Sequence, residues 1–209
     1  MSGGSCIGVI ASRRKTVRKF SSESFDLSLI IESIDVAKEA PSGKNAQPWH
    51  FVVVRDPKLK ENIRKVCEDS EKKFYSNVRG ELAEWLKSKG LSWKKPFLTE
   101  APYIIAIFAY KKAPYSRESV WLAVGYLLLA LEERGLASLT YTPPNRDEVA
   151  QLLKCPPEYR LEVLIPVGFS EDDKAKEPRK NIDEITSLDY FGVKLGEKEL
   201  NNKTVQGKT

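Results

Sequence analysis

Two uninterrupted apolar runs constrain this chain most: Tyr103-Ile-Ile-Ala-Ile-Phe-Ala109 and the stretch from Val120 to Leu131. Neither reaches the ~20 apolar residues needed to cross a bilayer, so the protein itself must bury them. The first is β-rich and short enough for a buried strand. The second is apolar on every side of a helix, and such a helix belongs in a core or a subunit interface.

The remaining pattern surrounds these runs with helices and strands. Ile7, Ile10 and Ala11 sit at helical spacing in a stretch ending at Arg13-Arg14. Asp26 can cap a second helix whose Leu27, Ile30, Ile31, Ile34 and Ala37 form one stripe, and Pro41 stops it. His50–Arg55 is a strand. Asp56-Pro57 then opens a helix, since proline is tolerated where its missing N–H would be unpaired anyway. Leu59, Ile63, Val66 and Cys67 line the inner face of that helix. From Ser76 to Lys95 the pattern is broken and amphipathic, with Trp85 and Trp93 among many charges, as in a segment that covers something else. Gly135 closes the apolar helix as a carboxyl cap. Leu139–Thr142 and Leu161–Phe169 read as further strands, with a short helix near Glu148–Leu153 between them. This order predicts an α+β layered domain.

Length and composition narrow the function. The 209 residues carry no Pro/Gly/Ser-rich linker and no internal repeat, so residues 1–193 are expected to form one domain, followed by a polar tail, 194–209. Net charge is +5, but 34 basic residues are interleaved with 29 acidic ones, and no basic stripe alternates with exposed aromatics. A mixed surface fits better than a nucleic-acid platform. Cys6, Cys67 and Cys155 are too dispersed for a disulfide framework or a zinc site, and His50 is the sole histidine. No metal site is expected. No signal peptide or membrane span is visible, which points to the cytoplasm. High charge with few Met and Gln follows a thermophile trend.

Two polar motifs remain. Arg14-Lys15-Thr16-Val17-Arg18 places two guanidinium forks and a hydroxyl within one short segment, a chemistry suited to a phosphate monoester. Taken alone, it also fits a solvated basic helix end. Ala40-Pro-Ser-Gly-Lys-Asn-Ala-Gln-Pro-Trp49 is a helix stop, a small-residue turn and a polar loop. Gly43 would let backbone approach a planar ring or sugar-like chain, and Asn45 offers both donor and acceptor. No dinucleotide glycine fingerprint and no P-loop occurs.

These two motifs resemble the nitroreductase superfamily of FMN-dependent oxidoreductases, and the likeness extends through Thr140-Tyr-Thr-Pro-Pro-Asn145 and Arg179-Lys-Asn-Ile-Asp-Glu-Ile185. In order, the motifs span about Ile7 to Ile185 and are most similar to the iodotyrosine deiodinase branch. The resemblance implies an α/β sandwich with a mixed central sheet flanked by helices. It also implies a homodimer with FMN at the subunit interface and a nicotinamide, NAD(P)H, as reductant. It assigns cofactor contacts to Arg14, Lys15, Thr16, Arg18, Ser42, Gly43, Asn45, Thr140, Tyr141, Thr142, Pro143 and Arg179. Thr142 would present its hydroxyl to flavin N5 and favour one-electron reduction.

One constellation separates the branches. Glu71 and Tyr75 are four apart on one helix face, and Lys95 lies beyond the Trp-bearing segment. A carboxylate, a phenol and an ammonium are the groups needed to grip an amino-acid zwitterion, and the resemblance places them in a lid near residues 70–97. Glu71 would take the substrate ammonium, while Lys95 and Tyr75 take its carboxylate. The bland alternative is a wet helix face, worth little energetically. Lys44 stands where such enzymes offer a backbone N–H to the substrate phenolate. That departure, like Lys15 in the basic motif, bears on pocket shape. The expected activity is reductive dehalogenation of a halogenated tyrosine. Its alternatives are a general NAD(P)H-dependent nitroreductase or quinone reductase, and a non-enzymatic flavin- or nucleic-acid-binding module.

Overall fold

The computed structural model describes residues 6–196, so most of the polar tail expected at 194–209 lies outside the described residues. At its centre is a four-stranded sheet in the order β1-β2-β4-β3. The strands are β1 (Trp49–Val54), β2 (Tyr103–Tyr110), β3 (Ala137–Ser138) and β4 (Tyr159–Gly168). All three neighbouring pairs run antiparallel. The sheet is thus antiparallel where a mixed one was expected, and the parallel pairing among the described residues is an isolated bridge between Thr16 and Ser138.

The period-2 geometry of β2 explains why its whole sequence is apolar. Ile104, Ala106 and Phe108 enter one core, and Ile105, Ile107 and Ala109 enter the other. Both faces of the strand are therefore dry, and helices must cover both. On the first face lie α3 (Pro57–Asn77), α5 (Phe97–Glu100) and α7 (Arg146–Leu152). On the second, α2 (Ser28–Ala37) packs with α6 (Ser116–Glu133), and α1 (Cys6–Arg13) lies against α6.

The helix ends follow from local chemistry. Asp56 caps α3 by accepting the Leu59 N–H at 2.7 Å, with Pro57 at the first position. Gly135 adopts φ 74° just past α6, the left-handed conformation its missing Cβ permits. The all-apolar sequence of α6 resolves into a fully buried row containing Val120, Val124, Leu127 and Leu131, while Leu122 and Tyr126 stand out exposed. Asp26 accepts the Ser28 N–H at 2.7 Å, one residue before the helix end at Leu27.

Three sequence expectations shift. The strand expected at Leu139–Thr142 falls instead at Ala137–Ser138. Beyond it the chain keeps one bridge, in which Tyr141 exchanges both backbone hydrogen bonds with Leu164 at 2.9 and 2.8 Å. The apolar helix begins at Ser116 rather than Val120, because Ser116 and Ser119 spend their hydroxyls on carbonyls of the preceding turn. The broken stretch from Ser76 to Lys95 becomes the end of α3, then α4 (Glu81–Ser88) and a turn.

Candidate active site

The basic segment is fixed by backbone before any ligand is considered. The Val17 N–H donates to Ser138, the Ser21 N–H to Phe169, and the Glu171 N–H to Lys19. Residues 16–21 are thereby stitched between β3 and the chain leaving β4. Asp172 adds a further tie, its Oδ2 accepting the Arg18 N–H at 3.1 Å. Burial would raise the Asp172 carboxyl, but N–H donors from Arg18 and Lys174 and the nearby Lys15 and Lys174 charges outweigh it and leave its pKa lowered.

These ties shape a cavity of about 420 Å³ whose wall includes Thr16, Arg18, Trp85 and Arg179. Arg14, next in the chain to the lining Lys15 but not part of the wall, is half-buried, and its Nε is buried with no hydrogen-bond partner. Burial lowers the Arg14 pKa, opposed by Glu132 and reinforced by the nearby Arg179 charge. An orphaned guanidinium N–H and two mutually repelling arginines are what an anion would relieve. The residues present therefore fit a phosphate. Lys15 differs from expectation: its ammonium is held by the carbonyls of Asp172 and Lys174 at 2.6 and 2.7 Å. Its role in this geometry is to fasten the 172–174 turn. Lys176 does the same for α1, donating to the Ala11 and Ser12 carbonyls.

A second cavity, of about 500 Å³, shares Arg18, Lys89, Leu91, Asp172 and Lys174 with the first and extends to Tyr75, Lys95, Thr140 and Tyr141. Here α3 contributes Tyr75 to the wall; Glu71, one turn earlier, is only 8% exposed and is not part of the lining. Lys95, also 8% exposed, comes from the turn before α5, and its Nζ lies 3.3 Å from Glu71 Oε2. The same ammonium donates to the Ser92 carbonyl at 2.6 Å and stands 5.1 Å from the centre of the Tyr75 ring. The three residues singled out in sequence are thus in one place. Burial lowers the Lys95 pKa against the opposing pull of Glu71. Burial, followed by the Glu71 charge, raises that of Tyr75, so the phenol remains a donor near neutrality.

Sequence reasoning missed two residues that build this end. Glu68 accepts the Lys95 backbone N–H at 2.7 Å and the Arg64 Nε at 2.8 Å, pinning the Lys95 turn to α3. The other is the side chain of Tyr141. It is buried and donates to Glu71 Oε1 at 2.9 Å. Trp93 ties its own segment to α3 in a further way, with the Lys72 and Lys94 ammonium groups 4.7 and 5.6 Å from its ring.

The remaining expected residues lie elsewhere in the chain. Ser42–Asn45 form a tight turn at the far end of the sheet, and neither cavity includes them. The Gly43 N–H donates to the Ser119 hydroxyl at 3.3 Å. A Cβ there would fall 2.7 Å from the Tyr115 ring and 3.0 Å from the Pro114 carbonyl, so protein packing already demands glycine. Lys44 and Asn45 are exposed with φ 53° and 51°, a left-handed pair unusual for lysine. Thr142 is exposed beside Pro143 in a separate cavity of about 470 Å³ along the start of α7, whereas Thr140 lines the Lys95 cavity. No cluster of three or more His, Cys, Asp or Glu fit to hold a metal occurs among the described residues.

A basic cavity joined to a buried carboxylate–ammonium pair, on an antiparallel sheet covered by helices on both faces, defines a class. The nitroreductase family model matches residues 11–169, and this chain belongs to that family. Its similarities are narrower still. The iodotyrosine deiodinase of Thermotoga neapolitana is 60% identical over 173 residues, covering 83% of this chain and 93% of that protein. Iodotyrosine deiodinase 1 of Homo sapiens is 36% identical over 192 residues, covering 84% of this chain and 66% of that one. A crystal structure of oxidised iodotyrosine deiodinase bound to FMN and 3-iodo-L-tyrosine superposes with a TM-score of 0.82 at 59% identity, over 84% of this chain and 96% of the other.

Proposed function

We propose that the chain is an FMN-dependent oxidoreductase that removes halide reductively from a halogenated tyrosine. The observation that carries this reading is the buried Glu71–Lys95 pair, whose Lys95 lines, with Tyr75, the cavity that shares Arg18 with the basic segment. A general nitroreductase would have no need to bury a carboxylate and an ammonium there, since taking two charges out of water costs several kcal/mol per ion. The similarity to proteins named iodotyrosine deiodinase supports the same choice.

In this reading Arg14, Arg18 and Arg179 hold the FMN phosphate, with Thr16 as a hydroxyl donor. Bound FMN would supply the redox chemistry, so that two electrons and one proton replace the aryl–halogen bond by aryl–hydrogen and release halide. Glu71 takes the substrate ammonium and Lys95 and Tyr75 its carboxylate, which orients the phenol. The segment near 70–97 acts as the lid, and ordering it excludes water. Thr142 and Pro143 complete the flavin edge with Thr140. NAD(P)H is the proposed reductant.

A homodimer belongs to the same reading. Ser42, Gly43, Lys44 and Asn45 line neither cavity, so they would serve a second copy's cofactor across the interface. Exposed Leu122 and Tyr126 on α6 supply an apolar surface for that contact. We place the protein in the cytoplasm as one catalytic domain over 1–193. No described helix is long and apolar enough to cross a membrane, and the three cysteines are free thiols.

The test is direct. Purified protein is examined for released cofactor by mass spectrometry. It is then given 3-iodotyrosine with a chemical reductant, and iodide and tyrosine are quantified. FMN with stoichiometric iodide and tyrosine is expected. No flavin contradicts the reading outright, and reduction of nitrophenol without any deiodination replaces it with a general nitroreductase.

A further inference from the structure

The sequence attaches Tyr141 to the flavin-side turn, but its side chain belongs to the lid. Its backbone is locked to the sheet through both hydrogen bonds with Leu164. Its ring packs edge-on against Phe97, 5.5 Å between centroids at 71°, and its hydroxyl reaches Glu71 across 70 residues of sequence. Tyr141 is 8% exposed, so water has little access to this hydrogen bond. Burial raises the phenol's pKa, with further contributions from Cys67 and Glu71, which keeps it protonated as the donor.

Glu71 therefore has two protein partners of different kinds. Lys95 reaches it by a long side chain from the turn before α5, and the same ammonium also holds the Ser92 carbonyl. Tyr141 is fixed by sheet and ring packing. Gripping a zwitterion requires Lys95 to leave Glu71 for the substrate carboxylate while the substrate ammonium takes its place. During that exchange a buried carboxylate without any donor would be strongly disfavoured.

We propose that Tyr141 is a positioning residue for Glu71. Its hydroxyl holds the carboxylate in place while Lys95 changes partners, and so sets the preference for amino-acid substrates over plain phenols. The inference rests on the zwitterion clamp described above and deepens it.

Tyr141→Phe keeps the ring packing and the backbone bridge but removes the hydroxyl. Flavin fluorescence of the FMN-loaded protein is titrated with 3-iodotyrosine and with 2-iodophenol. The thermal unfolding midpoint is followed at saturating 3-iodotyrosine. Tyr141→Phe should bind 3-iodotyrosine on the order of tenfold more weakly, leave 2-iodophenol unchanged, and show a smaller ligand-induced rise in midpoint. Added to Glu71→Gln it should cost nothing further, because the two residues act through one contact. Glu71→Asp, which keeps the charge but shortens the reach to Tyr141, should lose selectivity in the same direction. If wild type prefers 3-iodotyrosine and Tyr141→Phe keeps that preference, or weakens both ligands equally, the inference is overturned while the clamp stands. If wild type itself shows no preference, the clamp fails and the inference with it.

Discussion

The two ends of the site are built on opposite principles. At the basic end, charges are held apart: Arg14 keeps an unpartnered Nε, and burial together with the nearby Arg179 charge lowers its affinity for a proton. At the lid end, charges are closed on one another: Glu71, Lys95 and Tyr141 satisfy each other in a nearly dry setting. The first end is prepared for an anion it does not itself supply. The second is at rest and must be opened by a ligand that replaces each partner it displaces. A permanent cofactor suits the first arrangement and a transient, discriminating substrate suits the second. Only a ligand with both an ammonium and a carboxylate can exchange with the Glu71–Lys95 pair without leaving a buried charge alone.

Changes at the lid should give the largest effect. Glu71→Gln removes the charge facing the substrate ammonium and strands Lys95, a perturbation of about 3 kcal/mol for a buried pair. Binding of 3-iodotyrosine should fall on the order of a hundredfold. Reduction of a small nitroaromatic, measured by steady-state kinetics, should change little. Equal losses on both substrates would erase the contrast between the two ends.

At the basic end, Arg14→Ala should weaken FMN by about 1.5–3 kcal/mol, the range for one charge-assisted contact. Flavin content after dialysis, with FMN titrated back into apoprotein, measures this. Once saturated with FMN, the variant should bind 3-iodotyrosine like wild type, which separates it from the lid variants.

A smaller effect is expected from acid. The folded Asp172 carboxyl is depressed, so its stabilisation is full above the unfolded value of about 3.9 and is lost as pH falls through the lower folded pKa. Protonation releases the Arg18 N–H and loosens the turn that Lys15 fastens. FMN retention followed down the pH scale should drop in that window, and Asp172→Asn should retain less FMN at neutral pH. A profile identical in the variant would remove Asp172 from the account. The smallest effect belongs to Lys89→Ala, whose solvent-exposed pair with Glu177 should leave the thermal unfolding midpoint almost unchanged.

The comparison also explains what could be read in advance. Apolar runs and capping made β1, β2, α3 and α6 legible, because their signals are local: the Asp56-Pro57 start, the unbroken apolar run of β2, and the Gly135 stop. Glu71, Tyr75 and Lys95 were singled out because their order resembles the deiodinase branch; on residue chemistry alone a wet helix face competed, and the fold brings the three together. The 172–176 turn was not, since a polar stretch without periodicity acquires its role only from the Lys15 ammonium and the Arg18 N–H, more than 150 residues away. The short β3 was missed because its two residues pair through tertiary context rather than alternation. Tyr141 carried no signal for its true direction: sequence ties it to Thr140 and Thr142, whereas burial turns its ring toward α3. Glu68 was one charge among many on an amphipathic helix until the Lys95 backbone met it.

The central claim is that the lid reads the amino-acid end of its ligand. Its most direct measurement is the affinity of FMN-loaded wild-type protein for 3-iodotyrosine against N-acetyl-3-iodotyrosine, by flavin fluorescence. The two share the iodophenol ring and the carboxylate and differ at the ammonium that Glu71 would accept. The account predicts that acetylation weakens binding by on the order of a hundredfold, the cost of leaving a buried carboxylate without its cation. Equal affinity for the two would contradict it.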